Sequence, residues 1–225
     1  QSRQIIGRGI RSDGNGNYSL KGAEYGIFKG EKQVTKLTTD QNGYAKSGEL
    51  EAGNYTVKEL TASKGYIVDV TAHKVTVEPE KTAAVTVTEV PQSNPMDLLL
   101  QKLDKERKKA EPQGSASLAE AQFTVKFYTG QSDTDPAAGG AKPARTWIFK
   151  TDAEGKVHFS KNYLVSGDAF YTQTDGKTPC LPLGTVTVQE TKAPVGYLVN
   201  DTVFVQKITA GGAKETVSCY NASSV

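Results

Sequence analysis

Apolar residues along this chain recur at every second position over short runs, with polar residues between them and turn residues closing each run. Val186, Val188 and Glu190 alternate with Thr187 and Gln189, the period of a strand with one buried face. Tyr55, Val57 and Glu59 repeat the pattern upstream. Both runs continue as Glu-x-x-Ala-x-x-Gly-Tyr, ending at Tyr197 and Tyr66, and the second copy breaks at Ala193-Pro194-Val195-Gly196, a turn signal. Each copy therefore puts a carboxylate on an apolar face. That is costly unless the carboxylate is neutralised or paired.

The same alternation predicts strands over Ala23–Phe28, Gln33–Thr38, Asn54–Leu60, Tyr66–Val70, Lys74–Val77 and Ala83–Thr88, with a turn at Asp40–Gly43. A spacing of about ten residues with turn residues between runs predicts a β-sandwich, and no segment sustains a helical period. Earlier still, Gln4, Ile6, Arg8 and Ile10 share one face of a strand interrupted by Gly7 and Gly9. Asp13-Gly14-Asn15-Gly16-Asn17 has the oxygen spacing of a calcium loop but lacks its distal bidentate Glu, so it reads as a tight turn.

After Pro91–Pro95, a short linker stiffened by its prolines, the pattern restarts. Leu98, Leu100 and Lys102 share a strand face. Ser117–Phe123 echoes Ser19–Tyr25, and Thr151–Gly155 echoes Thr39–Gly43. The glutamate strand follows, then runs over Thr202–Ile208 and Glu215–Asn221. The chain is thus expected to be all-β, a tandem pair of sandwiches over residues 1–92 and 96–225. The second copy carries insertions at Gln131–Arg145 and Asn162–Pro179.

Composition narrows the function. A net charge of +2, with 27 basic and 25 acidic side chains intermixed, gives no footprint for nucleic acid. The basic stretch Lys105–Lys109 contains Glu106 and reads as a solvated turn. No apolar run reaches membrane-spanning length, so no membrane insertion is expected within this stretch. Gln1 is not expected to be a native start, and an excised fragment is expected. Leu181-Pro182-Leu183-Gly184-Thr185 leads into a strand and does not read as a sortase signal. With two histidines and two cysteines, no metal or cofactor site is expected, and Cys180 and Cys219 leave one possible disulfide.

In the second repeat three polar residues fall in phase with apolar neighbours: Lys102 on the first strand, Glu190 on a central one and Asn221 on the last. Two readings of that cluster stay open on spacing alone. One is a buried Lys–Glu pair with Asn221 hydrogen-bonded alongside. The other is chemical: burial lowers the pKa of lysine and raises that of glutamate, so neutral Lys102 attacks the Asn221 carboxamide while protonated Glu190 polarises the carbonyl and shuttles protons. Ammonia leaves and an isopeptide bond joins the two strands.

The Glu190–Tyr197 stretch, Gln101-Lys102-Leu103-Asp104 and Leu118–Phe123 resemble the CnaB-type domains of Gram-positive surface adhesins and SpaA-like pilins. The resemblance implies prealbumin-like, inverse-immunoglobulin Greek-key sandwiches with a spontaneous isopeptide bond. It assigns Lys102 as donor, Asn221 as acceptor and Glu190 as catalytic acid/base. Because such domains rely on isopeptide bonds, Cys219, which shares the inward face of Asn221, is expected as a free, buried thiol. The first repeat resembles the same family but departs from it: Glu59 matches the catalytic residue, Glu89 stands at the acceptor position, and only Arg3, Arg8 or Arg11 are available on the first strand. Arginine does not deprotonate in proteins, so no bond is expected there; one of the arginines is expected to pair with Glu59 and Glu89 instead.

The function expected is a stalk or pilin segment of an extracellular, cell-wall-attached protein whose anchor lies outside this stretch, with neighbouring domains as partners. The alternative is an adhesin domain that binds a host or glycan ligand through the insertions, with Trp147, Phe149, Tyr163 and Tyr171 as candidate contacts, although ordinary core and strand packing is the role expected of those aromatics. No enzyme acting on an external substrate is expected.

Overall fold

The computed structural model describes residues 14–94, 98–209 and 217–224. The N-terminal half contains β1 (Glu24–Lys29), β2 (Lys32–Thr38), β3 (Gly53–Thr61), β4 (Tyr66–Ile67), β5 (His73–Val77) and β6 (Val90–Pro91). Four of these form an antiparallel sheet in the order β2-β1-β3-β5, and β4 pairs with β6. The C-terminal half contains β7 (Ser93–Asn94), β8 (Leu98–Asp104), β9 (Gln122–Tyr128), β10 (Arg145–Lys150), β11 (Lys156–His158), β12 (Leu164–Gly167), β13 (Tyr171–Thr172), β14 (Pro179–Pro182), β15 (Gly184–Lys192), β16 (Val203–Ile208) and β17 (Val217–Asn221). Here a five-stranded sheet, β12-β10-β9-β15-β16, faces a three-stranded one, β11-β8-β17. Their inner faces enclose a core of Leu100, Phe123, Val125, Phe127, Trp147, Phe149, Val186 and Val188, among others.

The two halves repeat down to single hydrogen bonds. Thr39 Oγ1 donates to Leu20 O at 2.6 Å and accepts from Ala23 N at 2.9 Å; Thr151 Oγ1 does the same with Leu118 O at 2.5 Å and Ala121 N at 3.0 Å. Asp40 and Asp152 each cap the turn that follows by accepting two backbone N–H groups. These turns close at Gly43 and Gly155, both with φ near +74° (+74° and +73°), a left-handed conformation that glycine adopts without strain.

Two strand expectations change. The run Tyr66–Val70 forms a ladder only over Tyr66–Ile67, because the Asp69 N–H is taken by the Glu59 carboxylate at 2.5 Å and Asp69 itself caps Thr71. The run Ala83–Thr88 keeps its alternation, with Val85 and Val87 half-buried and Glu89 buried, yet joins no ladder among the described residues. The strand expected over Gln4–Ile10 lies outside the described residues. Between this run and the four-stranded sheet lies a groove of about 850 Å³ lined by Tyr25, Ile27, Tyr55, Val57, Val85 and Val87, among others.

The linker is held by hydrogen bonds as well as by its prolines. Pro91 pairs with Tyr66 in the N-terminal half, and Ser93 pairs with Pro182 in the C-terminal half. Between them Gln92 N donates to Gly65 O at 2.7 Å, and Gln92 O accepts from Tyr18 Oη at 2.5 Å. Tyr18 Oη in turn accepts from Leu183 N at 2.8 Å. The Gly14–Asn17 turn completes this clamp. Asn15 Nδ2 donates to Leu183 O at 2.7 Å, and Asn17 Nδ2 to Thr129 O at 2.7 Å. The asparagines of this oxygen-rich turn thus serve a junction between the halves.

Candidate functional site

Lys102, Glu190 and Asn221 meet in the core of the C-terminal half. Strand β17 runs parallel to β8, pairing Cys219 with Lys102 and Asn221 with Asp104. Strand β15 brings Glu190 beside Phe123 of β9, on the opposite sheet. Alternation aims all three side chains inward, and their residues are 0%, 2% and 1% exposed.

One carboxylate bridges the two partners. Glu190 Oε1 accepts from Lys102 Nζ, and Glu190 Oε2 accepts from Asn221 Nδ2 and, at 2.8 Å, from Asn200 N. The Phe123 and Tyr197 rings each lie with their centroids 5.8 Å from Nζ. Burial pushes the Lys102 pKa below the ordinary lysine value, against the opposing pull of Glu190. Lys102 is thereby shifted toward the neutral amine, the form that can act as a nucleophile.

The orientation of the Asn221 amide follows from its neighbours. Nδ2 also donates to Leu198 O at 2.7 Å, and a carbonyl oxygen can only accept, so the nitrogen faces Leu198 and Glu190. Oδ1 then faces Cys219 Sγ, 3.3 Å away. The sequence reading assigns Glu190 to the Asn221 carbonyl; the structure places it against the amide nitrogen instead. Burial pushes the Cys219 thiol up to about 12. Cys180 and Cys219 are both free and buried.

Sequence reasoning missed Asp104, although it continues the phase of Leu100 and Lys102. It is fully buried and accepts from Arg107 N at 2.7 Å, Gln113 Nε2 at 2.9 Å and Tyr197 Oη at 2.9 Å. Burial raises its pKa, but these donors outweigh that and hold it below the ordinary value. Burial and the bond to Asp104 push the Tyr197 phenol up to about 12. Tyr197 closes the Glu-x-x-Ala-x-x-Gly-Tyr motif, so the motif ties the end of β8 to the turn after β15. Asn200 and Leu198, which hold Glu190 and Asn221, follow that turn and carried no signal of their own.

In the N-terminal half Glu59 lies beside Tyr25 of β1, as Glu190 lies beside Phe123. Glu59 and Glu89 are 7% and 5% exposed. Glu59 Oε2 accepts from Asp69 N, while Glu89 Oε1 accepts from Tyr25 Oη at 2.6 Å. The remaining oxygens, Glu59 Oε1 and Glu89 Oε2, accept no hydrogen bond among the described residues. Burial raises the Glu59 pKa, the Asp69 N–H opposes it, and the neighbouring Glu89 charge adds to it. Arg3, Arg8 and Arg11, expected to pair with these carboxylates, lie outside the described residues.

The aromatic residues considered as ligand contacts are packing residues. Trp147, Phe149 and Tyr171 are fully buried, and the Trp147 indole N–H donates to Asp168 O at 2.8 Å. Tyr163 is half-buried and donates to Asp152 Oδ2 at 3.0 Å. The insertion Asn162–Pro179 supplies β12 and β13 and so completes the sheet edges. The insertion Gln131–Arg145 lies over the outer face of β15 and β16: Ser132 N donates to Thr185 Oγ1 at 2.8 Å and Gln131 Nε2 to Ile208 O at 2.8 Å.

Comparison with known proteins accounts for this architecture. The family model described as the SpaA prealbumin-like fold domain matches residues 8–91 and again 104–223. The trypsin-resistant surface T6 protein of Streptococcus pyogenes serotype M6 is 38% identical over 58 residues, which is 25% of this chain and 11% of that protein. The Bacillus anthracis TIE protein shares the fold with a TM-score of 0.59 at 24% identity, over 91% of this chain and 31% of that one. A C-terminal fragment of the pilus adhesin SpaC from Lactobacillus rhamnosus GG matches over 91% of both chains, with a TM-score of 0.47 and 14% identity. The chain thus spans about a tenth of the length of the curated relative and about a third of the TIE protein. With two matched segments that together take in most of its length, this chain belongs to the SpaA prealbumin-like fold domain family.

Proposed function

We propose that this chain is a rod-like stalk or pilin segment of a Gram-positive cell-surface protein, made of two domains over residues 1–92 and 96–225, the second locked by a self-formed isopeptide bond between Lys102 and Asn221. The observation that carries the reading is the single buried Glu190 carboxylate that touches both the lysine amine and the asparagine amide nitrogen. Lys102 gives a proton to Glu190 Oε1, and the neutral amine attacks Asn221 Cγ. Glu190 then passes that proton through Oε2 to Nδ2 and takes the second proton of the attacking nitrogen. The C–N bond breaks, ammonia departs and the ion pair's extra proton stays on Glu190. Amine plus carboxamide become a secondary amide plus ammonia, with no other reactant. Fixed proximity in a dry core supplies what an enzyme site would otherwise provide. The turnover is single, and no external substrate is involved.

The bond would join the first and last strands of its domain and close a loop of more than a hundred residues. By the estimate used for disulfides such closure contributes about 4–5 kcal/mol, and reduction cannot reverse it. Tension applied at the domain ends would pass through the bond without unzipping the sheet. Such resistance to force suits an extracellular segment attached to the cell wall through other parts of its parent protein, with neighbouring domains as partners. The described surface-protein relative supports that location. Glu59 and Glu89 form no bond in this scheme.

Single-molecule extension of the chain tests the mechanical claim. One unfolding event, of a length matching the N-terminal half, is expected. A second event that releases the residues between Lys102 and Asn221 would contradict it.

A further inference from the structure

Resting on the reading of Lys102, Glu190 and Asn221 as a bond-forming site, we propose that Cys219 is a further catalytic residue, its thiol donating to Asn221 Oδ1 and polarising the carbonyl that Lys102 attacks. The reaction needs such a donor. As Nζ adds to Cγ, negative charge gathers on Oδ1, and a donor aimed at that atom in a site without water is worth far more than in solution. Glu190 is not placed to supply it: its two oxygens face Nζ and Nδ2, and Leu198 O fixes the amide with Nδ2 turned to that side. The donor the structure sets on Oδ1 is Cys219 Sγ at 3.3 Å, within reach of a sulfur hydrogen bond.

The placement follows from the strand. Cys219 and Asn221 are two residues apart on β17, so both point into the core, and Cys219 is paired with Lys102 across the parallel ladder. The thiol is fully buried and burial keeps it protonated, so it holds a proton to donate and does not compete with Lys102 as a nucleophile. No oxidant or second thiol enters the step: Cys219 begins and ends as S–H. The division of labour is then complete. Glu190 handles protons on the two nitrogens, and Cys219 stabilises the oxygen.

The test uses the full chain, made in a short cell-free pulse and sampled over time by intact mass for the loss of one ammonia. Cys219→Val fills the volume without a donor, and Cys219→Ser keeps one. The valine form is expected to lose ammonia about tenfold more slowly than the native chain, scaled down from the larger losses seen when a stronger oxyanion donor is removed. The serine form is expected to recover most of that rate. A folded valine form, judged by circular dichroism, that reacts as fast as the native chain would overturn the role of Cys219 while leaving the site intact. So would serine and valine forms that fold and react equally slowly. A native chain that never loses ammonia would instead overturn the reading of the site itself.

Discussion

Two glutamates stand at the same place in the two halves of this molecule, and their surroundings make them opposites. Each lies on a long central strand, beside an aromatic residue of the neighbouring strand, and each is followed by the same turn. Glu190 meets a lysine and an asparagine amide, and both of its oxygens are satisfied. Glu59 faces a second carboxylate, and each of that pair keeps one oxygen without a hydrogen bond among the described residues. The strand and turn are therefore shared by both halves, and among the described residues the two carboxylates differ in the partners they meet.

The largest effect should come from removing the two carboxylates separately. Glu190→Gln is expected to abolish the bond and lower the stability of the C-terminal half by about 4–5 kcal/mol, read as a downward shift of its denaturant midpoint. Glu59→Gln removes a charge that burial and Glu89 already disfavour, so it should leave the N-terminal half as stable as before or more so. Equal losses in both halves would break the contrast.

Next come the glycines of the shared turn, where the halves should behave alike. Gly65 and Gly196 have φ of +84° and +82°. A Cβ at Gly65 would meet Asn17 O at 2.5 Å, and one at Gly196 would meet Ala116 Cβ at 2.6 Å. Alanine at either site should destabilise its half by about 1–2 kcal/mol for the left-handed backbone, plus about 1–3 kcal/mol for overpacking. The measurement is the melting temperature of each variant. Gly196→Ala should still lose ammonia if it folds, because the turn serves the fold.

A smaller effect is expected at the junction. Tyr18→Phe removes the hydroxyl that bonds Gln92 O and Leu183 N, at a cost of about 1–3 kcal/mol for the groups left unpaired. Small-angle scattering should show a broader spread of end-to-end lengths, with both halves still folded.

The pH response should separate the halves by sign. Glu59 has a folded pKa above its unfolded value, so the folded state holds the extra proton. Its contribution is present below the unfolded carboxylate pKa and is lost as pH rises through the folded one. Lys102 has a folded pKa below its unfolded value. In an Asn221→Ala variant, which cannot form the bond, stability of the C-terminal half should therefore rise with pH between those two values. Separate melting curves for the two halves check both slopes.

Alternation carried much of the fold, because side chains on a strand point to opposite faces with a period of two. It placed Lys102, Glu190 and Asn221 on inner faces, and the repeat of Thr39 in Thr151 extends to identical hydrogen bonds. It could not show which way the Asn221 amide turns, since that depends on Leu198 O, a backbone atom in a turn with no periodic signature. Asp104 was legible by phase but hidden by its charge, which suggested solvent at a strand end. The Asn15–Tyr18 clamp was invisible for another reason: its partners, Thr129 and Leu183, lie more than a hundred residues away. Trp147, Phe149 and Tyr171 are core residues, the packing role that an alternating strand pattern already favoured over ligand contact.

The central claim is that the C-terminal half forms a covalent bond and the N-terminal half does not. Intact-mass measurement of the native chain and of Glu190→Gln tests it directly. The native chain should be lighter than its sequence by one ammonia, and after proteolysis the loss should map to a branched peptide joining Lys102 to Asn221, while Glu190→Gln keeps its full mass. A native chain at full sequence mass would contradict the account.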